Sequence, residues 1–379
     1  MDIPLYEKIF VDLFNQIKSG QLKPNNRVPS EKELADQYHV SRITSKRALE
    51  KLAQIGLIER IRGKGSFVAS SLPDFEVLKQ PMLQDQSDET SEEPIGLIGL
   101  IVPDFFSEWY GKKLLQSIEK RCSEMKYHLI IKLTYGDQHE EEKAIHSLLQ
   151  QGVAGIIVYP VSGQHYTANL LKLVLDGFPL VLIDRYLKGI PGCSVVTDNK
   201  AAAQELTDYL LNLGHKNIAF ISPPEEYTSS IEERIQGYTA AYVQKRLGIN
   251  SNYILTELFS TLTSCQQLDE FEEDEIKLKQ FIQENPKITA FVACEYGIAL
   301  VIAQVLRSLG KQIPDDYSIA CFDHPDYHYN DYFFTHIKQD EMKIGRKAIE
   351  LLIDQIKNHS VEVKNIIDYS LIEGKTTSL

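Results

Sequence analysis

Apolar residues in the first twenty positions recur at helical spacing. Tyr6, Ile9, Leu13 and Ile17 share one face of a helix that ends near Gly20. Ser30 and Glu33 form a capping box that starts a second helix, the hydroxyl and the carboxylate each satisfying an unpaired backbone amide. That helix gives Leu34, Ala35 and Tyr38 to a small core. Ser41 is a favourable N-cap for a third helix, with Ala48, Leu52 and Ile55 facing inward and Arg42, Thr44 and Lys46 at its exposed leading end. Gly63 and Gly65 then allow a tight turn with Lys64 at its tip. From Ile95 the pattern changes to apolar runs at 95–102, 128–133, 155–159, 180–184, 217–222, 289–294 and 318–323, with a further one at 334–339. Most are separated by segments of helical length. Near-continuous apolar strands joined by helices predict an α/β fold with parallel sheets covered on both faces.

Length and charge refine this picture. A chain of 379 residues suits one small and one large domain, or three lobes. The expected division is a DNA-binding module over 1–70, a polar acidic linker over 71–94 and a large domain over 95–379, since Gln84 to Glu93 carries no apolar periodicity. The whole chain has 40 basic and 53 acidic residues, a net charge of −13 that argues against nucleic acid as a partner of the whole surface. Residues 1–70 alone hold 12 basic against 8 acidic side chains, +4, which leaves −17 for the rest. A basic module on an acidic body places a nucleic-acid contact at the N-terminus. The five cysteines, Cys122, Cys193, Cys265, Cys294 and Cys321, form no C-x-x-C pair and read as free thiols of a reducing compartment. With no apolar run of membrane-spanning length and no signal-like start, a cytoplasmic protein without a membrane partner is expected.

A helix, a turn, a second helix with a basic leading end and a two-stranded wing, in that order, describe a winged helix-turn-helix for duplex DNA. Arg42 stands where a recognition helix enters the major groove, and Lys64 at the wing tip can reach a phosphate. In the large domain, ligands of parallel α/β folds bind beyond the carboxyl ends of the strands. There stand Trp109, Tyr110, Arg185, Asp198, Arg234, Asp323 and Gln339. Aromatics for apolar sugar faces, with Arg, Asp and Gln for hydroxyls, suit a carbohydrate cleft. Plainer roles compete: Asp198 as an N-cap, Arg185 as an ion-pair partner, Trp109 in a lobe interface. Gly374-Lys375-Thr376 lacks the upstream glycine of a phosphate loop, because Tyr369 stands there. Asp323, His324, Asp326 and His328 fit a polar loop better than a metal site, so neither a metal nor a cofactor is expected. His215 reads as a structural helix-end residue after Gly214.

Residues 4 to 69 resemble the GntR family of bacterial regulators through Leu5-Tyr6, Ile17-x-x-Gly20, Pro29-Ser30-Glu31, Val40-Ser41-Arg42, Ala48-Leu49 and Gly63-x-Gly65. The resemblance implies DNA contacts at Lys32, Ser41, Arg42, Thr44, Lys46, Arg62, Gly63 and Lys64. Ser45 departs from the usual apolar residue, and Lys32 and Lys46 stand where Arg is more usual. Residues 95 to 372 are similar to the two-lobed, periplasmic-binding-protein-like effector domain of LacI/GalR repressors. The similarity runs through Ile183-Asp184-Arg185, Thr197-Asp198-Asn199, the Leu213–Ile218 stretch, Arg234-Ile235-Gln236-Gly237-Tyr238, Ile313-Pro314-Asp315, Phe322-Asp323 and Gln339. It implies ligand contacts at Trp109, Tyr110, Arg185, Arg234 and Gln339, and the cleft position of Asp323 joins them. Glu295-Tyr296 replaces the family's Asn-Asp, so that Glu295 substitutes for the missing Asp or Tyr296 stacks on the ligand. The stretch 260–274 looks longer than usual and reads as a surface excursion. Joined in one chain, the two resemblances are similar to arabinose repressors. They imply a homodimeric, sugar-responsive regulator of operator DNA, with a pentose or a 6-deoxyhexose as effector. A non-sugar ligand, or an enzyme domain fused to the winged helix, is the alternative; no cofactor lysine or nucleophile motif marks an enzyme.

Overall fold

The structure, a computed structural model, describes residues 5–61, 65–72, 96–104, 110–161, 166–224, 228–262, 268–325 and 333–378. Two compact units divide the chain, 1–92 and 93–379. Residues 73–94 of the expected linker lie outside the described residues.

The first unit holds helices α1 (Leu5–Lys18), α2 (Glu31–Tyr38) and α3 (Arg42–Gln54). Strands β1 (Arg27–Val28), β2 (Ile58–Ile61) and β3 (Gly65–Val68) form an antiparallel sheet in the order β1-β3-β2. The apolar stripe of α1 (Ile9, Leu13, Ile17) packs on Leu34, Ala48, Leu52, Ile58 and Val68 in one core. Both arms of the capping box are made: the Ser30 hydroxyl accepts from the Glu33 amide at 3.3 Å, and the Glu33 carboxylate accepts from the Ser30 amide at 2.6 Å. Each such cap contributes about 1 kcal/mol. α2 ends at His39, whose left-handed φ of 52° turns the chain toward α3 within three residues.

The second unit has two lobes. In the first, β4 (Gly96–Val102), β5 (Tyr127–Leu133), β6 (Gly155–Val158), β7 (Leu180–Ile183), β8 (Ser194–Thr197) and β14 (Lys364–Ile367) form a parallel sheet, order β14-β8-β7-β6-β4-β5. α4 (Lys112–Glu124) and α11 (Glu341–Ile356) cover one face, and α5 (Gln138–Gln150) and α6 (Ala168–Leu175) cover the other. Both faces are buried, so neighbours such as Ile156 and Ile157 serve opposite cores. That is why the strands read as unbroken apolar runs.

The second lobe repeats the plan with β9 (Ile218–Ile221), β10 (Ile254–Leu255), β11 (Ala290–Ala293), β12 (Ser318–Phe322), β13 (Thr335–Gln339) and β15 (Tyr369–Ile372), order β10-β9-β11-β12-β13-β15. Only the β13–β15 pair is antiparallel. α7 (Asn199–Asn212) and α8 (Ser229–Gln244) lie on one face, α9 (Leu268–Glu284) and α10 (Tyr296–Ser308) on the other. Among the described residues the chain crosses between lobes three times, each through one aspartate: Asp198 from β8 to α7, Asp340 from β13 to α11, Asp368 from β14 to β15. Asp198 and Asp340 each cap the helix that follows, accepting from the Ala201 and Lys343 amides. The N-cap role weighed for Asp198 is thus its role here.

Eight expected strands end within one residue of the observed ones. The short edges β10, β14 and β15 were not among them. The expected excursion at 260–274 is corrected in part. From Leu268 onward it is α9, and buried Asp274 accepts from the Phe259 and Ser260 amides at 2.9 and 2.7 Å, tying the preceding loop to the lobe.

Candidate functional site

The helix-turn-helix presents its polar end as a worked surface. Ser41 caps α3 through the Thr44 amide at 3.2 Å, and the two hydroxyls lie 2.8 Å apart. Lys32, Ser41, Arg42 and Lys46 are exposed, and Thr44 is half-buried. Lys46 pairs with Glu50 at 3.7 Å, and Glu50 also lies 3.6 Å from Arg60, a wing residue that bonds Glu31 of α2. One carboxylate thus couples recognition helix to wing. Ser45, where an apolar residue is more usual, is fully buried and donates to the Glu31 carbonyl at 2.7 Å. A hydroxyl there pins α2 to α3, which a methyl group cannot do. Arg62, Gly63 and Lys64 lie outside the described residues.

The cleft assembles from strand ends of both lobes. Asp184 and Asp323 each follow a strand with positive φ (66° and 62°), which turns their carboxylates out of the sheet line. Asp184 accepts from the Tyr110 hydroxyl at 2.8 Å and lies 3.7 Å from Arg185. Arg185 donates to the Pro160 carbonyl at 3.3 Å, with its guanidinium 5.0 Å from the Tyr159 ring centre. Burial and the Asp184 charge push the Tyr110 and Tyr159 hydroxyls far above the ordinary tyrosine range, so both stay protonated donors.

From the second lobe, Arg234 donates to the Asn199 side chain at 2.8 Å and the Cys294 carbonyl at 2.5 Å, its guanidinium 3.8 Å over the Phe322 ring. Gln339 joins the lobes: it accepts from the Thr197 hydroxyl at 2.7 Å and donates to both Asp323 oxygens at 3.0 and 3.1 Å. Burial pushes the Asp323 carboxyl up to about 7, against the pull of Arg234 and Gln339. Glu295 is raised by burial too, with Thr261, Arg234 and Arg185 opposing. Its Oε1 and the Thr261 hydroxyl are buried without a well-formed hydrogen bond.

Tyr110, Arg185, Arg234, Glu295, Asp323 and Gln339 are therefore gathered in one place. Trp109 lies outside the described residues. Tyr296 is 8% exposed, its ring edge-on to those of His324 and Phe334. Asp184, Tyr159, Thr197 and Asn199 belong to the cluster although sequence reasoning did not assign them. Asp184 directly precedes Arg185, and that adjacency was the available signal. His215 does more than end a helix: its ring bonds the Thr289 and Ser318 hydroxyls at 2.9 and 3.0 Å, tying two strand starts. Among the described residues no cluster could hold a metal ion; Asp326 and His328 lie outside them. Cys122, Cys193, Cys294 and Cys321 are buried free thiols.

Residues 5–68 match the bacterial regulatory proteins of the gntR family, and residues 207–377 match the periplasmic binding protein-like domain. The chain is 27% identical over 367 residues to the arabinose metabolism transcriptional repressor of Geobacillus stearothermophilus, covering 95% of this chain and 93% of the relative. The repressor of the same description from Halalkalibacterium halodurans is 23% identical over 360 residues, 93% and 89% of the two chains. The crystal structure of transcription regulator CcpA of Lactococcus lactis shares the fold, with a TM-score of 0.64 at 21% identity over 74% of this chain and 99% of that one. This chain is a GntR-type transcriptional regulator with a periplasmic-binding-protein-like domain. Its relatives are regulators rather than enzymes. Within the regulator no helix of the described residues is long and apolar enough to cross a membrane.

Proposed function

We propose that the regulator represses sugar-utilisation genes, and that a small neutral sugar in the cleft modulates its grip on operator DNA. One observation carries the ligand class. Asp184, Asp323 and Glu295 lie with Arg185 and Arg234 at one buried locus, so the cleft offers both donors and acceptors for hydroxyls, three carboxyl groups beside two guanidiniums rather than the excess of cations that suits a phosphate. The kinship with arabinose metabolism repressors makes L-arabinose the first candidate and a 6-deoxyhexose the second. In this reading Tyr110, Arg185, Arg234, Glu295, Asp323 and Gln339 contact or position the sugar, with Trp109 stacking on it. Lys32, Ser41, Arg42, Thr44, Lys46, Arg62, Gly63 and Lys64 contact DNA. The regulator works in the cytoplasm as a homodimer whose two winged helices read the halves of an imperfect palindrome. Sugar closes the lobes and thereby shifts the DNA-binding equilibrium.

Titration calorimetry of the full chain against pentoses, 6-deoxyhexoses, hexoses and their phosphates tests the ligand class. Saturable binding of a neutral sugar, lost on Arg185→Ala, is the expected result. Binding of phosphorylated sugars alone would contradict the charge argument.

A further inference from the structure

Next to the cleft, the first two turns of α8 are fastened to the first lobe by side-chain bonds that cross between the lobes. The Tyr186 hydroxyl donates to Glu233 Oε1 at 2.9 Å, and Lys364 Nζ donates to the same oxygen at 2.8 Å while lying 4.2 Å from the Tyr186 ring centre. Lys188 Nζ donates to Glu232 Oε2 at 2.6 Å, and the Tyr186 amide donates to the Ser229 hydroxyl at 3.1 Å. Tyr186, Lys188 and Lys364 belong to the first lobe, since Leu187 between the first two is buried in its core and Lys364 opens β14. Ser229, Glu232 and Glu233 belong to α8. The next residue is Arg234.

From this juxtaposition we infer that Glu233, supported by Glu232, is a positioning residue: a strap that holds the lobes together and sets how Arg234 meets the ligand. Glu233 touches no group of the buried cleft cluster; it acts through the helix it shares with Arg234. It accepts two donors from the other lobe while only 15% exposed, whereas Lys364 is 40% exposed. A pair of this kind is partly shielded from solvent yet accessible enough to break. The strap favours the closed arrangement before any ligand binds, so it lowers the conformational cost of binding. Its consequence for sugar affinity rests on the sugar reading above; its consequence for lobe separation does not.

The test uses the full chain carrying Leu175→Cys in the first lobe and Val243→Cys in the second, both on exposed positions, in a Cys265→Ser background. Spin-label distances are measured without ligand for the parent, Glu233→Lys, Lys364→Glu, the double charge swap and Tyr186→Phe. Each single charge reversal should lengthen and broaden the distance distribution, Tyr186→Phe should do so weakly, and the swap should return it toward the parent. L-arabinose titration should show each reversal weakening half-saturation by at least ~3-fold, with recovery in the swap. Distances unmoved by either reversal, or a swap that fails to restore them while all variants melt like the parent, would overturn the strap. Restored distances with no sugar binding in any protein would support the strap and count against the sugar reading instead.

Discussion

Asp323 is a single residue through which folding and the proposed sensing would both depend on pH. Its carboxyl faces Gln339, Arg234, Asp184 and Glu341, and burial outweighs the favourable neighbours, lifting it from 3.8 to about 7. In that window the folded chain holds a proton the unfolded chain has lost. Stability from this group therefore falls as pH rises from 3.8 to about 7 and is level above it. Asp323→Asn should flatten that slope, read as melting temperature against pH; parallel curves for parent and variant would show that Asp323 does not titrate there. A sugar hydroxyl donating to the ionised carboxylate gains over the same interval, so affinity should rise with pH as stability declines. Arg234 is the contrasting case. Its bonds to Asn199 and the Cys294 carbonyl make it a brace between α7, α8 and the end of β11, beside its proposed role as a ligand group. Truncating it leaves buried partners unsatisfied and costs roughly 2–4 kcal/mol of stability, so loss of sugar response on Arg234→Ala speaks to sensing only where the fold survives.

At the scale of elements, close approach decides which residues are tolerated. α7 and α8 cross at Gly237, where an added Cβ would sit 2.1 Å from the Lys200 carbonyl oxygen and 2.8 Å from the Ala203 Cβ. Gly237→Ala should force the helices apart and cost several kcal/mol, moving Arg234 and the strap with them. A denaturation midpoint equal to the parent's would show that the crossing yields. Much of this level was legible in the sequence. Buried parallel strands declare themselves as apolar runs such as 155–159, and the Ser30–Glu33 box marks a helix start to the residue. The edge strands β14 and β15 did not, because each has a partner strand on one side only and is half-polar, as at the exposed Lys364 and Ser370. Cleft residues after strands were legible as a set. Their bonding was not: Arg234 meets partners 35 and 60 positions away, Gln339 one 142 positions away, and no local spacing encodes such pairs.

For the whole molecule, the two lobes are linked by three one-residue crossings and a strap, an arrangement with few covalent restraints on closure. In the proposed function, sugar binding at the lobe interface shifts the balance between open and closed forms, and by linkage the affinity for DNA shifts with it. In the proposed function the DNA contacts come from the basic N-terminal module. Selection of bound duplexes from a random pool by the full chain, with and without L-arabinose and with Arg42→Ala alongside, tests this account most directly. The account predicts an enriched imperfect palindrome, a changed yield of bound duplex when sugar is present, and for Arg42→Ala a loss of about 1–3 kcal/mol with relaxed base preference. An unenriched pool, or an enriched site whose occupancy no sugar alters, would contradict it.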